Sequence, residues 1–310
     1  VTDLAIETSH LRKEYGPNVA VRDLTLQVPI GEVFGFLGPN GAGKSTTVKM
    51  LLDLVRPTSG ELRLFGHHPR HTQTRARVGF LPEHFRFHEW LRPSEFLMLH
   101  GKLHGMSPGP LSQRIPQLLE LVGLAPSAQM RLSKFSKGML QRIGLAQAIL
   151  NQPALVFLDE PTSGLDPLGR RLVRDVIRRL KAEGTTIFLN SHFLSEVEIT
   201  CDRVAFINDG RVVQIDTMAD LLSRTTEVIL RVDAWKPDLL SALETMGEHL
   251  QPDDTTLTML VKDQEVVPAI AQLVLEHGVK LYELRPRQKS LEEIYVSIIE
   301  GDQRSGPWEL

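Results

Sequence analysis

A single cysteine, Cys201, is all the thiol this sequence holds. No intramolecular disulfide can form, and a reducing compartment suits the chain. Long hydrophobic runs are missing too. No stretch approaches the roughly 18 consecutive apolar residues of a membrane span, and residues 1–7 lack the basic and apolar regions of a secretory signal. The expectation is a soluble chain, for which another polypeptide supplies any path through a membrane. There is no excess of charge either: 35 basic and 38 acidic residues leave a net charge of −3. A nucleic-acid partner, which usually draws on a basic excess, is not expected. Internal repeats and low-complexity tracts are likewise lacking.

What remains is an ordinary globular composition, 42% hydrophobic and 24% charged, spread over 310 residues. That length allows one large domain with a smaller one beside it. Residues 20–29 alternate apolar and polar positions, and 33–37 form an apolar run that reads as a buried strand. A glycine-rich turn follows, then a predicted helix at 44–54, ended by Arg56-Pro57. Strand signals recur at 61–65, 154–158, 185–189 and 203–207, with a helix at 170–183 and a helical stretch at 83–150. Alternation of this kind predicts an α/β core with a mostly parallel sheet and a helical insert. Beyond about residue 225, strands at 227–232, 256–261 and 280–284 alternate with helices at 239–246, 266–276 and 291–299, a small α+β appendage.

Four local patterns carry chemistry. Gly38-Pro39-Asn40-Gly41-Ala42-Gly43-Lys44-Ser45 fits G-x-x-x-x-G-K-[ST] between a strand and a helix. Its glycines let backbone N–H groups approach phosphate oxygens, Lys44 reaches the β- and γ-phosphates, and the Ser45 hydroxyl can ligate Mg²⁺. Leu155-Val156-Phe157-Leu158-Asp159-Glu160 delivers two carboxylates at a strand end, where α/β sheets bind ligands. Alone, such a pair is usually a solvated loop. Beside a phosphate loop, Asp159 reads as a Mg²⁺ ligand and Glu160 as the general base for an attacking water. His192, just past another strand, reaches the same sheet edge and can bond the γ-phosphate or that water. Ser136, a good N-cap, and Gly138 open a helix that offers a second phosphate site.

Together these residues resemble the ABC ATPase family over about residues 4–222. Residues 38–46, Thr46 included, resemble its Walker A loop, 155–160 its Walker B strand, and Ser136-Lys137-Gly138-Met139-Leu140-Gln141 its signature. Ser163-Gly164-Leu165-Asp166 is similar to the D-loop, with Asp166 at the nucleotide, His192 to the switch histidine, and Tyr15 to the aromatic on which adenine stacks. The resemblance implies a P-loop NTPase core with a mostly parallel sheet, an antiparallel β subdomain and a helical subdomain at about 84–150. It places this domain at 1–222, a small C-terminal α+β domain at 223–302 and a tail at 303–310. It also implies ATP and Mg²⁺, with ATP sandwiched head-to-tail between Walker A of one subunit and the signature of a second, in a homodimer at the cytoplasmic face of the membrane.

Two departures mark a branch. Lys137 replaces a glycine of the usual L-S-G-G-Q, and Glu83, in Gly79-Phe80-Leu81-Pro82-Glu83, stands where the family usually carries glutamine. A carboxylate can still ligate Mg²⁺ but cannot donate a hydrogen bond as an amide does. Both resemble the branch that serves ABC-2 type exporters, whose permease is a separate transmembrane partner. The competing reading is a mechanical ABC ATPase acting on nucleic acid or ribosomes; such relatives carry two cassettes or a long coiled coil, and neither pattern is present. His100 and His104 have metal-binding i, i+4 spacing, but no cysteine or carboxylate set completes a site. The arginines at 170, 171, 174, 178 and 179 read as a solvated helix face beside Asp175 and Glu183.

Overall fold

The computed structural model describes residues 3–84, 87–223, 226–261 and 265–304. The chain divides into two compact units, Val1–Asp216 and Thr217–Leu310. The last part of the expected tail, 305–310, lies outside the described residues.

In the first unit nine strands form one sheet: β1 (Leu4–Tyr15), β2 (Asn18–Pro29), β3 (Val33–Leu37), β4 (Ser59–Leu64), β5 (Val78–Leu81), β6 (Leu155–Asp159), β7 (Thr186–Asn190), β8 (Arg203–Asn208) and β9 (Arg211–Thr217). Their order is β4-β1-β2-β9-β8-β3-β7-β6-β5. β1, β2 and β4 pair antiparallel, whereas β8, β3, β7, β6 and β5 run parallel. Every residue of β3, β6 and β7 is buried, the behaviour of strands covered on both faces, which need continuous apolar runs. Phe188 lies between Phe34, Phe36 and Phe157, with ring centroids 5.9, 5.2 and 5.4 Å away. That aromatic stack pins the centre of the parallel half, whose C-terminal strand ends carry the site.

The helices are α1 (Lys44–Leu51), α2 (Thr72–Ala76), α3 (Pro93–Leu103), α4 (Pro108–Leu121), α5 (Lys137–Ala148), α6 (Pro167–Ala182) and α7 (Leu194–Thr200). α3, α4 and α5 pack on one another and form the helical part, burying Leu97, Leu111 and Leu118. α1 ends three residues short of the expected 54, because Asp53 adopts φ +55, outside helical space.

The second unit is built from α8 (Met218–Ser223), β10 (Thr226–Val232), α9 (Pro237–Leu243), β11 (Glu248–Asp253), β12 (Thr256–Val261), α10 (Val266–Glu276), β13 (Leu281–Gln288) and α11 (Leu291–Arg304). Its sheet order, β11-β12-β10-β13, with all pairs antiparallel, gives β10-α9-β11-β12-α10-β13 the ferredoxin-like βαββαβ arrangement. Val228, Leu230, Leu257, Met259, Leu239 and Ile270 form a core of its own. The sequence pattern did not predict β11. Its Glu-His-Leu-Gln-Pro-Asp lacks alternation, and Pro252 is tolerated because β11 is an edge strand.

Candidate active site

The loop between β3 and α1 is shaped by two crowded glycines. A Cβ on Gly38 would lie 2.2 Å from the Ile207 carbonyl oxygen, so only glycine lets the loop leave the sheet against β8. Gly43 caps α1 at φ +99, and a Cβ there would lie 2.5 Å from the Ala20 carbonyl oxygen. Lys44 opens α1 and folds back over the loop, its Nζ donating to the carbonyls of Gly38 at 2.7 Å and Pro39 at 3.0 Å. Burial pushes its pKa down, while the charges of Glu160, Asp159 and Glu83 oppose the shift. The result is a partly desolvated cation at a helix N-terminus.

β6 carries Asp159 and Glu160 to the same edge, 9% and 7% exposed. Asp159 Oδ1 accepts from Asn190 Nδ2 at 2.6 Å. Glu160 takes φ +52, left-handed space that costs a non-glycine residue about 1–3 kcal/mol. Two bonds hold it there: its N–H donates to the Asn190 carbonyl at 2.8 Å, and its own carbonyl accepts from Gln141 Nε2 at 3.0 Å. The side chain is gripped by His192, whose backbone N–H donates to Oε1 at 2.9 Å and whose Nδ1 lies 2.7 Å from Oε2. Burial raises the pKa of both acids; the Asn190 hydrogen bond opposes this at Asp159, and His192 does so at Glu160.

These groups share one cleft of about 970 Å³. Tyr15, Asn40, Gly41, Gly43, Lys44, Ser45, Thr46, Glu83, Asp159, Glu160 and His192 all line it. Gly38 and Ala42 form the base of the loop behind it, Ala42 being buried. Tyr15 stands 47% exposed with Lys13 Nζ 4.8 Å from its ring centroid. Glu83 is exposed, and its Oε1 is 3.9 Å from His84 Nε2. Ser136, Gly138 and Asp166 are not among the lining residues. Ser136 Oγ instead caps α5 by accepting from the Met139 N–H at 3.2 Å, and Asp166 Oδ1 caps α6 by accepting from the Gly169 N–H at 2.8 Å. Lys137 lays its stem along Gly164, where a Cβ would lie 2.7 Å from Lys137 Cδ.

Asn190 was not singled out from the sequence, and Gln141 stood there only as the last residue of the signature, without its bond to the Glu160 carbonyl. For Asn190 the sequence offers a faint signal, an amide that ends a largely apolar strand, whereas the burial of Gln141 on α5 shows only in the fold. Arg22 and Asp209, paired at 2.8 Å across 187 residues, also line the cleft and carry no local signal at all.

The sequence profile of the ABC transporter family matches residues 21–163. An uncharacterized ABC transporter ATP-binding protein of Nostoc is 38% identical, the match covering 98% of this chain and 92% of that protein. The daunorubicin/doxorubicin resistance ATP-binding protein DrrA of Streptomyces peucetius is 37% identical over 95% of this chain and 92% of its own length. Among solved structures, an ATP-binding subunit of an ABC transporter superposes with a TM-score of 0.65 at 32% identity, covering 70% of this chain and 91% of that one.

Proposed function

The chain belongs to the ABC transporter ATP-binding proteins and hydrolyses ATP, and from that premise we propose that it powers export through a separate ABC-2 type permease, as a head-to-tail dimer at the cytoplasmic face. The observation that carries this reading is the convergence of Lys44, Asp159, Glu160 and His192 on one cleft. The phosphates sit on the N–H groups of the 38–43 loop and the α1 N-terminus, with Lys44 exchanging its loop carbonyls for phosphate oxygens. Tyr15 stacks on adenine at the cleft rim. Glu160, ionised and oriented by His192, takes the proton of a water attacking the γ-phosphorus. The bond to the β-phosphate oxygen breaks, leaving ADP and phosphate.

Among the described residues, four carboxylates and two basic side chains other than histidine line the cleft, so a polyanionic nucleotide calls for a cation with it. Ser45, Asp159 and Glu83 present hard oxygen donors that fit Mg²⁺. Among the described residues no three His, Cys, Asp or Glu side chains form a metal cage, which suits an ion held largely by substrate phosphates and water. When bound, Mg²⁺ neutralises charge developing on the β- and γ-oxygens.

Dimerisation draws support from Ser136 and Gly138, which open α5 away from the cleft and are left for a second copy's nucleotide. Export draws support from the names of relatives: besides DrrA, a Nod factor export ATP-binding protein of Cupriavidus pinatubonensis is 36% identical over 96% of this chain. Among the described residues no helix is long and apolar enough to cross a membrane. Co-purification of the tagged chain with the membrane protein encoded beside it is the test. A stoichiometric complex whose ATP turnover depends on Glu160 is expected. Recovery of the chain with nucleic acid and no membrane protein would overturn export in favour of a mechanical ATPase.

A further inference from the structure

Asn190 ends β7 and faces Asp159 across the parallel β6–β7 ladder. It is 3% exposed yet lines the cleft. It makes one bond to each of the two acids that β6 delivers: the side-chain amide donates to Asp159 at 2.6 Å, and the main-chain carbonyl accepts from the Glu160 N–H at 2.8 Å. The amide orientation is fixed by charge. Its nitrogen must face the carboxylate, because two oxygens at that distance would repel. Oδ1 therefore turns the other way, where it is buried without a hydrogen-bond partner among the described residues. Buried acceptors are rarely left over, and those that are call for an explanation. At the wall of a cleft that fits a nucleotide with its cation, a water entering with that cation supplies the missing donor.

We propose that Asn190 is a positioning residue for the divalent cation: its amide holds Asp159 in the orientation that the cation requires, and its Oδ1 accepts a hydrogen bond from a water in the cation's shell. This rests on the reading of Asp159 as a Mg²⁺-holding carboxylate. Partners of metal-holding side chains set ligand orientation, and their loss typically weakens metal binding by about 10–100-fold. The backbone bond to Glu160 survives any substitution at 190, so the side chain's part can be isolated.

The experiment uses the full chain and Mn²⁺ as the probe, read by electron paramagnetic resonance with a non-hydrolysable ATP analogue present. Binding of a fluorescent nucleotide in chelator is measured alongside. Asn190→Ala is expected to weaken Mn²⁺ binding by about tenfold while metal-free nucleotide affinity stays that of the parent. Asn190→Thr, which keeps a hydroxyl and a β-branched side chain suited to the strand, is expected to fall between. Should the alanine chain fail to fold, the threonine variant decides: weaker Mn²⁺ binding than the parent supports the role, and equal binding overturns it. A parallel loss of metal-free nucleotide binding would reduce Asn190 to a structural residue and overturn it as well. If the parent itself takes up no Mn²⁺ with the analogue, the Mg²⁺ reading fails, and the proposal fails with it; parent uptake matched by the variants sinks the Asn190 role alone.

Discussion

Asp159 and Glu160 are held ionisable in a wall that disfavours their charge. Burial raises both pKa values from their ordinary 3.8 and 4.5. The folded state therefore binds protons more readily than the unfolded one. Above the raised pKa the ionised acids cost stability; as pH falls through it toward the unfolded values, that cost is relieved. It follows that Asp159→Asn, which removes one buried charge, raises the melting temperature of the nucleotide-free chain at about neutral pH by a few degrees. The same substitution flattens the acid-side dependence of stability and abolishes Mg²⁺-dependent turnover. Calorimetry across the mildly acidic range checks this, and a variant less stable than the parent near neutrality would contradict it. Sites that must hold unfavourable charge trade stability for chemistry.

At the scale of elements, α6 and α7 are joined where the sequence suggested only a solvated arginine face. Arg178 and Arg179 do pair on the surface with Asp175 and Glu183. Arg174 does not: it grips both oxygens of Glu196 at 2.9 and 3.0 Å, and Arg170 lies 4.5 Å over the Phe193 ring. Both contacts fall on residues just after His192, so α6 braces the segment that orients Glu160. Arg174→Ala leaves the buried Glu196 unpaired, at a cost of about 3 kcal/mol, and should lower kcat more than it raises KM. Thermal melting and steady-state kinetics together test this. Arg174→Lys, which keeps charge without the planar fork, should recover part of both losses.

The same scale shows what was legible. β3 and β6 announce themselves because strands buried on both faces must be continuously apolar, and the 38–45 pattern sits at the end of one of them. α10 and β12 have the expected bounds, since their apolar periodicity is unbroken. Long-range partners were the illegible part. Asn190 meets Asp159 through a strand pairing 31 residues away, Gln141 meets Glu160 through the packing of α5, and Arg22 meets Asp209 through a turn far along the chain. Local spacing carries no record of such encounters. α6 begins at Pro167 instead of 170, because Asp166 caps it and proline suits the first helical position.

At the scale of the molecule, each of the two units holds a hydrophobic cluster of its own among the described residues, and two cooperative bodies are expected. Leu230, fully buried in the second core, tests that independence. Leu230→Ala is expected to cost about 3 kcal/mol and to shift only the transition of the second unit, leaving the nucleotide affinity of the first intact. A single transition that moves as a whole would show the two cores to be one cooperative system.

The central claim is that Glu160 is the base of an ATPase that closes on nucleotide as a dimer, and Glu160→Gln tests it most directly. The variant keeps the shape and most of the polar contacts but cannot take the water's proton. Light scattering after size exclusion with ATP and Mg²⁺, paired with a phosphate-release assay, should find a persistent nucleotide-bound dimer and turnover reduced by about 100-fold or more. A variant that hydrolyses ATP at close to the parent rate would remove Glu160 from the chemistry and contradict the account.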